Sequence, residues 1–172
     1  MANVKYDMEL ISGIYEILPN RFGAGIIQNN FELLGEIKYT DSEINYANTI
    51  LKETGKELKG LDGTIKPLRP TLPATGGSTD VGDVSQVVPV VRLRTTTAAK
   101  DGPWHSWAVV ACTGMSIGHK GMIYASKALA MTMLDLYKNP KLIDGVRKEF
   151  LVRKGDKVYV PQIPPGPPKL ID

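Results

Sequence analysis

The sequence has one cysteine and two histidines, and this scarcity excludes several kinds of site. A single thiol, Cys112, cannot form an internal disulfide, and its apolar neighbours predict a buried thiol of the core. Two histidines cannot hold a two-metal centre without carboxylates placed for that task. The sequence contains no His-x-Asp, no Glu-Glu pair and no His-Glu-x-x-His. A complete metallohydrolase site is therefore not expected within this chain.

Long apolar runs and blocks of like charge are also missing. The longest apolar run, 108–112, is far too short to cross a bilayer, and the first residues lack the apolar segment of a signal peptide. The net charge of +3 is spread over single basic residues that alternate with acidic ones. Because no basic stripe forms, we expect no nucleic-acid partner. These features predict a cytoplasmic protein that binds neither nucleic acid nor membrane.

The first part of the chain carries clear helix boundaries. Asn20 is a predicted N-cap, and Gly35 is the predicted stop of the helix that follows it. Thr40 and Glu43 have the spacing of a capping box, in which a hydroxyl and a carboxylate each satisfy a backbone N–H. Two consecutive helices are therefore predicted before residue 60.

The longest helix is predicted from Ser116 to about Tyr137, and Asn139-Pro140 has the form of an N-cap followed by proline at the first helical position. Helical spacing predicts an apolar stripe that faces the core along the longer helix, at Met122, Ala125, Leu129, Met133 and Leu136.

Other segments have the alternation or β-branched composition of strands. Residues 3–17 alternate apolar and polar, and Val87–Thr97 is rich in valine and threonine. Residues 107–113 resemble a short buried strand, and a further one is predicted at 157–160. With the helices, these strands predict an α/β fold.

Residues 75–85, the glycine loop, combine glycines with hydroxyls and carboxylates. An ordinary solvated turn has a similar composition, so this pattern alone leaves both a turn and an active-site loop open. His105 lies between two tryptophans soon after the loop, and His119 lies in the first turn of the longest helix. Either imidazole is compatible with a structural role or with a metal ligand. A serine hydrolase using Ser78 or Ser85 with His105 is not supported, since neither serine lies in a nucleophile elbow.

The order of three motifs resembles the co-catalytic metallopeptidase family that includes aminoacylases and carboxypeptidases. The motifs are Gly-Gly-Ser-Thr-Asp-Val-Gly-Asp-Val-Ser (76–85), Trp-His-Ser-Trp (104–107) and Ser-Ile-Gly-His-Lys-Gly-Met (116–122). The resemblance implies an α/β catalytic domain interrupted by an α+β lid domain. Residues 1–18 would be the last strand of the lid, and 19–172 the returning, C-terminal half of the catalytic domain.

The resemblance also implies roles for particular residues. His105 would be the last ligand of a divalent metal, zinc or manganese. Asp83 would support the metal site without binding the metal itself. The substrate would be contacted by Gly77, Ser78, Thr79, Asp80, His119 and Asn20.

The remaining metal ligands and the glutamate general base of this family lie upstream, in a half that this sequence does not contain. The implied reaction is hydrolysis of an N-acyl amino acid or dipeptide-like amide, such as aminobenzoyl-glutamate, with this chain inactive alone. A missing N-terminal half and possible homo-oligomerisation are the expected assembly. The alternative is a non-catalytic interaction or structural module that assembles with a separate N-terminal half; it predicts no metal binding by the chain alone.

Overall fold

The structure is a computed structural model that describes residues 4–69 and 77–167. Within these ranges no helix is long and apolar enough to cross a membrane. The same ranges contain six α-helices and no β-strand. The helices are α1 Arg21–Leu34, α2 Asp41–Glu53, α3 Val81–Val87, α4 Trp107–Thr113, α5 Ser116–Lys138 and α6 Pro140–Lys154.

The predicted helix boundaries at the start of the chain are confirmed. The Asn20 side chain accepts a hydrogen bond from the Gly23 N–H at 2.8 Å, and Gly35 ends α1 with φ of 74°. Positive φ is the conformation that glycine adopts without a steric cost, which explains why α1 stops there. Both halves of the capping box between Thr40 and Glu43 are present at the start of α2.

Two sets of contacts hold the helices together. α2, α4 and α5 share a core that includes the fully buried Leu51, Cys112 and Ile117, so the predicted burial of the thiol is confirmed. α1 packs against α5 and α6. The buried Asn30 of α1 donates through Nδ2 to Thr132 Oγ1 at 3.1 Å and to Asp135 Oδ2 at 2.8 Å. Hydrogen bonds between elements far apart in sequence therefore fix α1 on α5.

The predicted apolar stripe of α5 does not face the core. Met122, Leu129 and Met133 are 57%, 44% and 56% exposed. The buried positions of α5 are instead mostly small: Ile117, Gly118, Gly121, Ala128 and Thr132. A methyl carbon added to Gly121 would overlap the carbonyl oxygen of Thr96, so the small residues allow the backbone of 95–97 to approach α5 closely.

The α/β prediction is wrong for the described residues, and residues 4–17 show why. This segment is extended, but its backbone groups bond to side chains of α3 instead of to a neighbouring strand. The Leu18 N–H donates to Ser85 Oγ at 2.9 Å, and Gln86 Nε2 donates to the Glu16 carbonyl at 2.8 Å. Because a strand is defined by a ladder of backbone hydrogen bonds, an extended segment held by side chains does not become one.

The other predicted strands are also absent from the described residues. Residues 107–113 form α4, because the Ser106 hydroxyl accepts from the Ala108 N–H at 3.3 Å and caps a helix there. Residues 157–160 are irregular and follow α6. Residues 88–97 are extended but unpaired, and the first of the predicted strand, Val87, ends α3. A short apolar run fits a buried helix as well as a strand, which accounts for the error at 107–113.

Candidate functional site

The described part of the glycine loop is exposed and leads into α3. Thr75 and Gly76 lie outside the described residues. Gly77 has φ of 109°, which only glycine adopts readily. The Gly82 N–H donates to the Thr79 carbonyl at 3.0 Å, so the loop turns directly into the helix. Ser78 and Asp80 are exposed, and Asp80 makes no side-chain cap bond to α3.

His105 has an unusual backbone conformation. Its φ is 58°, in the left-handed region that few non-glycine residues occupy, and its side chain is exposed. The turn is fixed by Ser106, whose Oγ donates to the Pro103 carbonyl at 2.6 Å. The flanking Trp104 and Trp107 are 69% and 55% exposed. The structure therefore presents an imidazole between two exposed indoles, held there by strained backbone.

His119 lies on a different surface. It lines a groove of about 510 Å³ between the end of α1 and the start of α5, together with Leu34, Lys38 and Tyr124. His105 is not part of that wall, so the groove does not bring the two histidines together. In residues 4–69 and 77–167, no group of three or more His, Cys, Asp or Glu side chains could hold a metal ion.

Asp83 joins two segments from opposite ends of the chain. Its Oδ2 accepts from the Tyr15 N–H at 3.3 Å, and its Oδ1 accepts from the Tyr159 hydroxyl at 3.0 Å. The rings of Tyr15 and Tyr159 lie 5.5 Å apart, and the Tyr15 hydroxyl donates to the Val160 carbonyl at 3.0 Å. Asp83 thus fixes both segments beside α3. Its role in supporting a metal ligand stays a prediction.

Asn20 uses both ends of its amide for the fold. Oδ1 caps α1, and Nδ2 donates to the Val146 carbonyl of α6 at 2.8 Å, all within a buried environment. The predicted substrate contact of Asn20 is not tested by this arrangement, but the amide already has a donor and an acceptor partner. A structural role therefore explains this residue without a ligand.

Replacing Asn20 with alanine should lower the free energy of unfolding by about 2 kcal/mol, because the N-cap of α1 and the bond to Val146 are both lost. Asn20→Asp is the matched control, since its carboxylate retains the cap acceptor and loses only the amide donor. Urea denaturation followed by circular dichroism measures both variants. Equal loss in the two would contradict a separate contribution from the cap.

A serine motif that the sequence analysis missed lies at the start of α5. Residues 114–118 match Gly-x-Ser-x-Gly, with Ser116 at the centre. The structure places this serine between two helices instead of after a strand, which is where a nucleophile elbow requires it. The Ser116 hydroxyl donates to Glu43 Oε1 at 2.7 Å, and Lys120 Nζ lies 2.6 Å from Glu43 Oε2.

The electrostatics of this cluster do not favour catalysis. Burial alone would raise the pKa of Glu43, but hydrogen bonds from Lys120, Ser116 and the Thr40 N–H lower it from 4.5 to about 2. A carboxylate with so low a pKa is a poor general base at neutral pH. The cluster therefore acts as a polar joint between α2 and α5.

Sequence comparison confirms the resemblance to the family of aminoacylases and carboxypeptidases, since the relatives are hydrolases. One of the subunits of the p-aminobenzoyl-glutamate hydrolase of Escherichia coli (strain K12) is 35% identical over 89 residues, which is 52% of this chain and 18% of the relative. The Xaa-Arg dipeptidase of Mus musculus is 39% identical over 74 residues, which is 43% of this chain and 17% of the relative. The matches thus span less than a fifth of either relative. No family model and no solved structure matches the chain.

Proposed function

We propose that this chain is part of a metal-dependent amidohydrolase or peptidase that cleaves an N-acyl amino acid or dipeptide-like amide. The names of the two relatives support this reaction class, and p-aminobenzoyl-glutamate is the substrate type that the first of them suggests. The observation that carries the proposal is the His105 turn, where strained backbone holds an exposed imidazole between exposed indoles. Strain of this kind is concentrated at functional sites.

The described residues do not fit a complete zinc or manganese site, because no three ligating side chains come together. In the proposed function, His105 supplies one ligand. The other ligands and the general base come from an N-terminal half of the catalytic domain, on the same or a separate polypeptide. Gly77, Ser78, Thr79 and Asp80 would face the substrate from the glycine loop. Association of further copies of the chain is part of the same proposal.

A second candidate is a non-catalytic interaction or structural module. The observation that favours it is the exposure of large apolar side chains around α4 and α5, including Trp104, Trp107 and Val110, the last of which is 72% exposed. Apolar side chains of this size are costly to leave in water when they lie together. In this function they would pack against the same N-terminal half without contributing to catalysis.

The proposed function predicts that hydrolysis of p-aminobenzoyl-glutamate, with added zinc or manganese, requires the chain extended upstream. His105→Ala in the extended protein should reduce kcat by roughly 100-fold or more and lower the bound metal content. His119→Ala is the matched change, and it should act on KM without loss of metal. Unchanged kcat and metal content in His105→Ala would contradict the ligand role. An inactive extended protein that still binds the chain tightly would favour the interaction module.

A further inference from the structure

A second groove, of about 440 Å³, separates α1 from residues 62–69 and 94–96. It does not contain His105 or any residue of the glycine loop. Its wall is largely apolar and includes Phe31, Ile65, Leu68 and Tyr124. Phe31 and Tyr124 stack with ring centroids 5.5 Å apart. The groove therefore offers a ligand an aromatic and aliphatic surface.

Most polar groups of this wall already have partners. Asp62 pairs with Lys66 at 3.0 Å and with Lys100 at 3.2 Å. The Thr64 hydroxyl donates to Asp62, and the Thr95 hydroxyl donates to the Gly121 carbonyl at 3.2 Å. The Tyr124 hydroxyl, Thr96 and Gln28 are likewise bonded within the protein. These groups are satisfied by the fold and need no ligand.

Two arginines of the wall are different. In the part of the chain that the structure describes, neither Arg69 nor Arg94 forms an ion pair or a side-chain hydrogen bond. Each guanidinium carries five N–H donors in a planar arrangement that matches a carboxylate or a phosphate. The single acidic residue of the wall, Asp62, is already neutralised by its two lysines. The groove therefore has an unbalanced positive charge from two guanidinium groups.

We propose that this groove binds a small organic carboxylate with an aromatic or apolar body, held by Arg69 and Arg94. The guanidinium groups select an anion, and the apolar wall selects against a bare one. A free phosphate would leave Phe31, Ile65 and Leu68 in contact with water, whereas a ring attached to the carboxylate would cover them. The site does not depend on hydrolysis or on a metal, so its test is independent of the proposed function.

Benzoate is the probe, with benzamide as its neutral counterpart and inorganic phosphate as the anion without an apolar body. Binding is followed by two-dimensional NMR of the full chain, using the amide signals of Ile65, Thr95 and Thr96. We expect benzoate to bind with a Kd of about 1 mM, which is ordinary for a ligand of this size. Benzamide and phosphate should bind at least about fivefold more weakly.

Arg94→Gln and Arg69→Gln should each weaken benzoate binding by about fivefold or more, and the double variant should abolish it. Arg94→Lys keeps the charge without the planar pair of donors and should give an intermediate loss. Arg92→Gln is the matched control, because Arg92 is an exposed arginine two residues from Arg94 that does not line the groove. It should bind benzoate as the unchanged protein does.

Because the substituted arginines are exposed, the variants should unfold at the same temperature as the unchanged protein. The proposal is overturned if benzoate does not shift these amide signals at about 10 mM, or if benzamide binds equally well. It is also overturned if Arg92→Gln weakens binding as much as Arg94→Gln, since general surface charge would then explain the effect. Tighter binding of phosphate than of benzoate would contradict an organic ligand.

Discussion

Replacing Gly82 with alanine is expected to lower the free energy of unfolding by about 3 kcal/mol. Gly82 is buried in α3, and a methyl carbon added there would overlap the carbonyl oxygen of Tyr15. The obstacle is backbone, which cannot turn aside as a flexible side chain can. Relief requires α3 to move away from residues 15–18, and that movement breaks the hydrogen bonds of Ser85 and Gln86 to this segment.

Gly25→Ala is the matched control, because no heavy atom lies within 4 Å of a methyl carbon added at this position of α1. Alanine should raise stability there by about 0.5–1 kcal/mol, since glycine is unfavourable inside a helix. Urea denaturation at neutral pH compares the two variants with the unchanged protein. If Gly82→Ala unfolds at the same urea concentration as the unchanged protein, the close packing of residues 15–18 on α3 is contradicted.

Glu43→Gln should destabilise the protein by about 2 kcal/mol at pH 7, because it removes one charge of a partly buried ion pair with Lys120. Glutamine can still complete the capping box with Thr40, so the variant separates the loss of charge from the loss of the cap. Glu57→Gln is the control for an exposed pair. Glu57 lies 3.2 Å from Lys59 with its side chain 78% exposed, and its replacement should cost less than about 0.5 kcal/mol.

The cost of Glu43→Gln should depend on pH in a defined direction. The pKa of Glu43 is lowered from 4.5 to about 2 in the folded protein, so its stabilising contribution is complete above pH 4.5. The contribution is lost as the pH falls from 4.5 towards 2, because the unfolded chain then binds a proton that the folded protein does not. Urea denaturation at pH 7 and at about pH 3 should show a smaller difference between variant and unchanged protein at the lower pH. A constant difference would contradict the ionised state of Glu43 as the cause.

Helix boundaries could be predicted where local chemistry alone decides them. Asn20 and Gly35 bound α1 because a cap acceptor and a positive φ act within one turn of the helix. The strands could not be judged in this way, because a strand also needs a partner. Residues 4–17 have the right alternation, yet side chains of α3 satisfy the backbone of 15–18. That outcome depends on a contact between segments about seventy residues apart, which periodicity does not contain.

The same limit applies to the candidate site. The motif around His105 identified a residue worth examining, but its left-handed backbone is visible only in the structure. Sequence reasoning missed Arg69 and Arg94, since an arginine without a partner looks the same in a sequence as one in an ion pair. The signal that identifies them is the absence of a nearby acid among the described residues of the groove. Only a folded chain shows which charges remain unpaired.

The distant partners of α1 also determine when this helix can become stable during synthesis. Its hydrogen bonds to Thr132 and Val146 join residues 102 and 126 positions apart along the chain. At about 5–20 residues per second, the ribosome delivers those partners roughly 10 s after α1 has emerged. An isolated helix of 14 residues is marginal in water, so α1 does not hold its structure over that interval. We therefore expect folding to be completed only after translation of α6, with Ile26 and Ile27 of α1 open to chaperones until then.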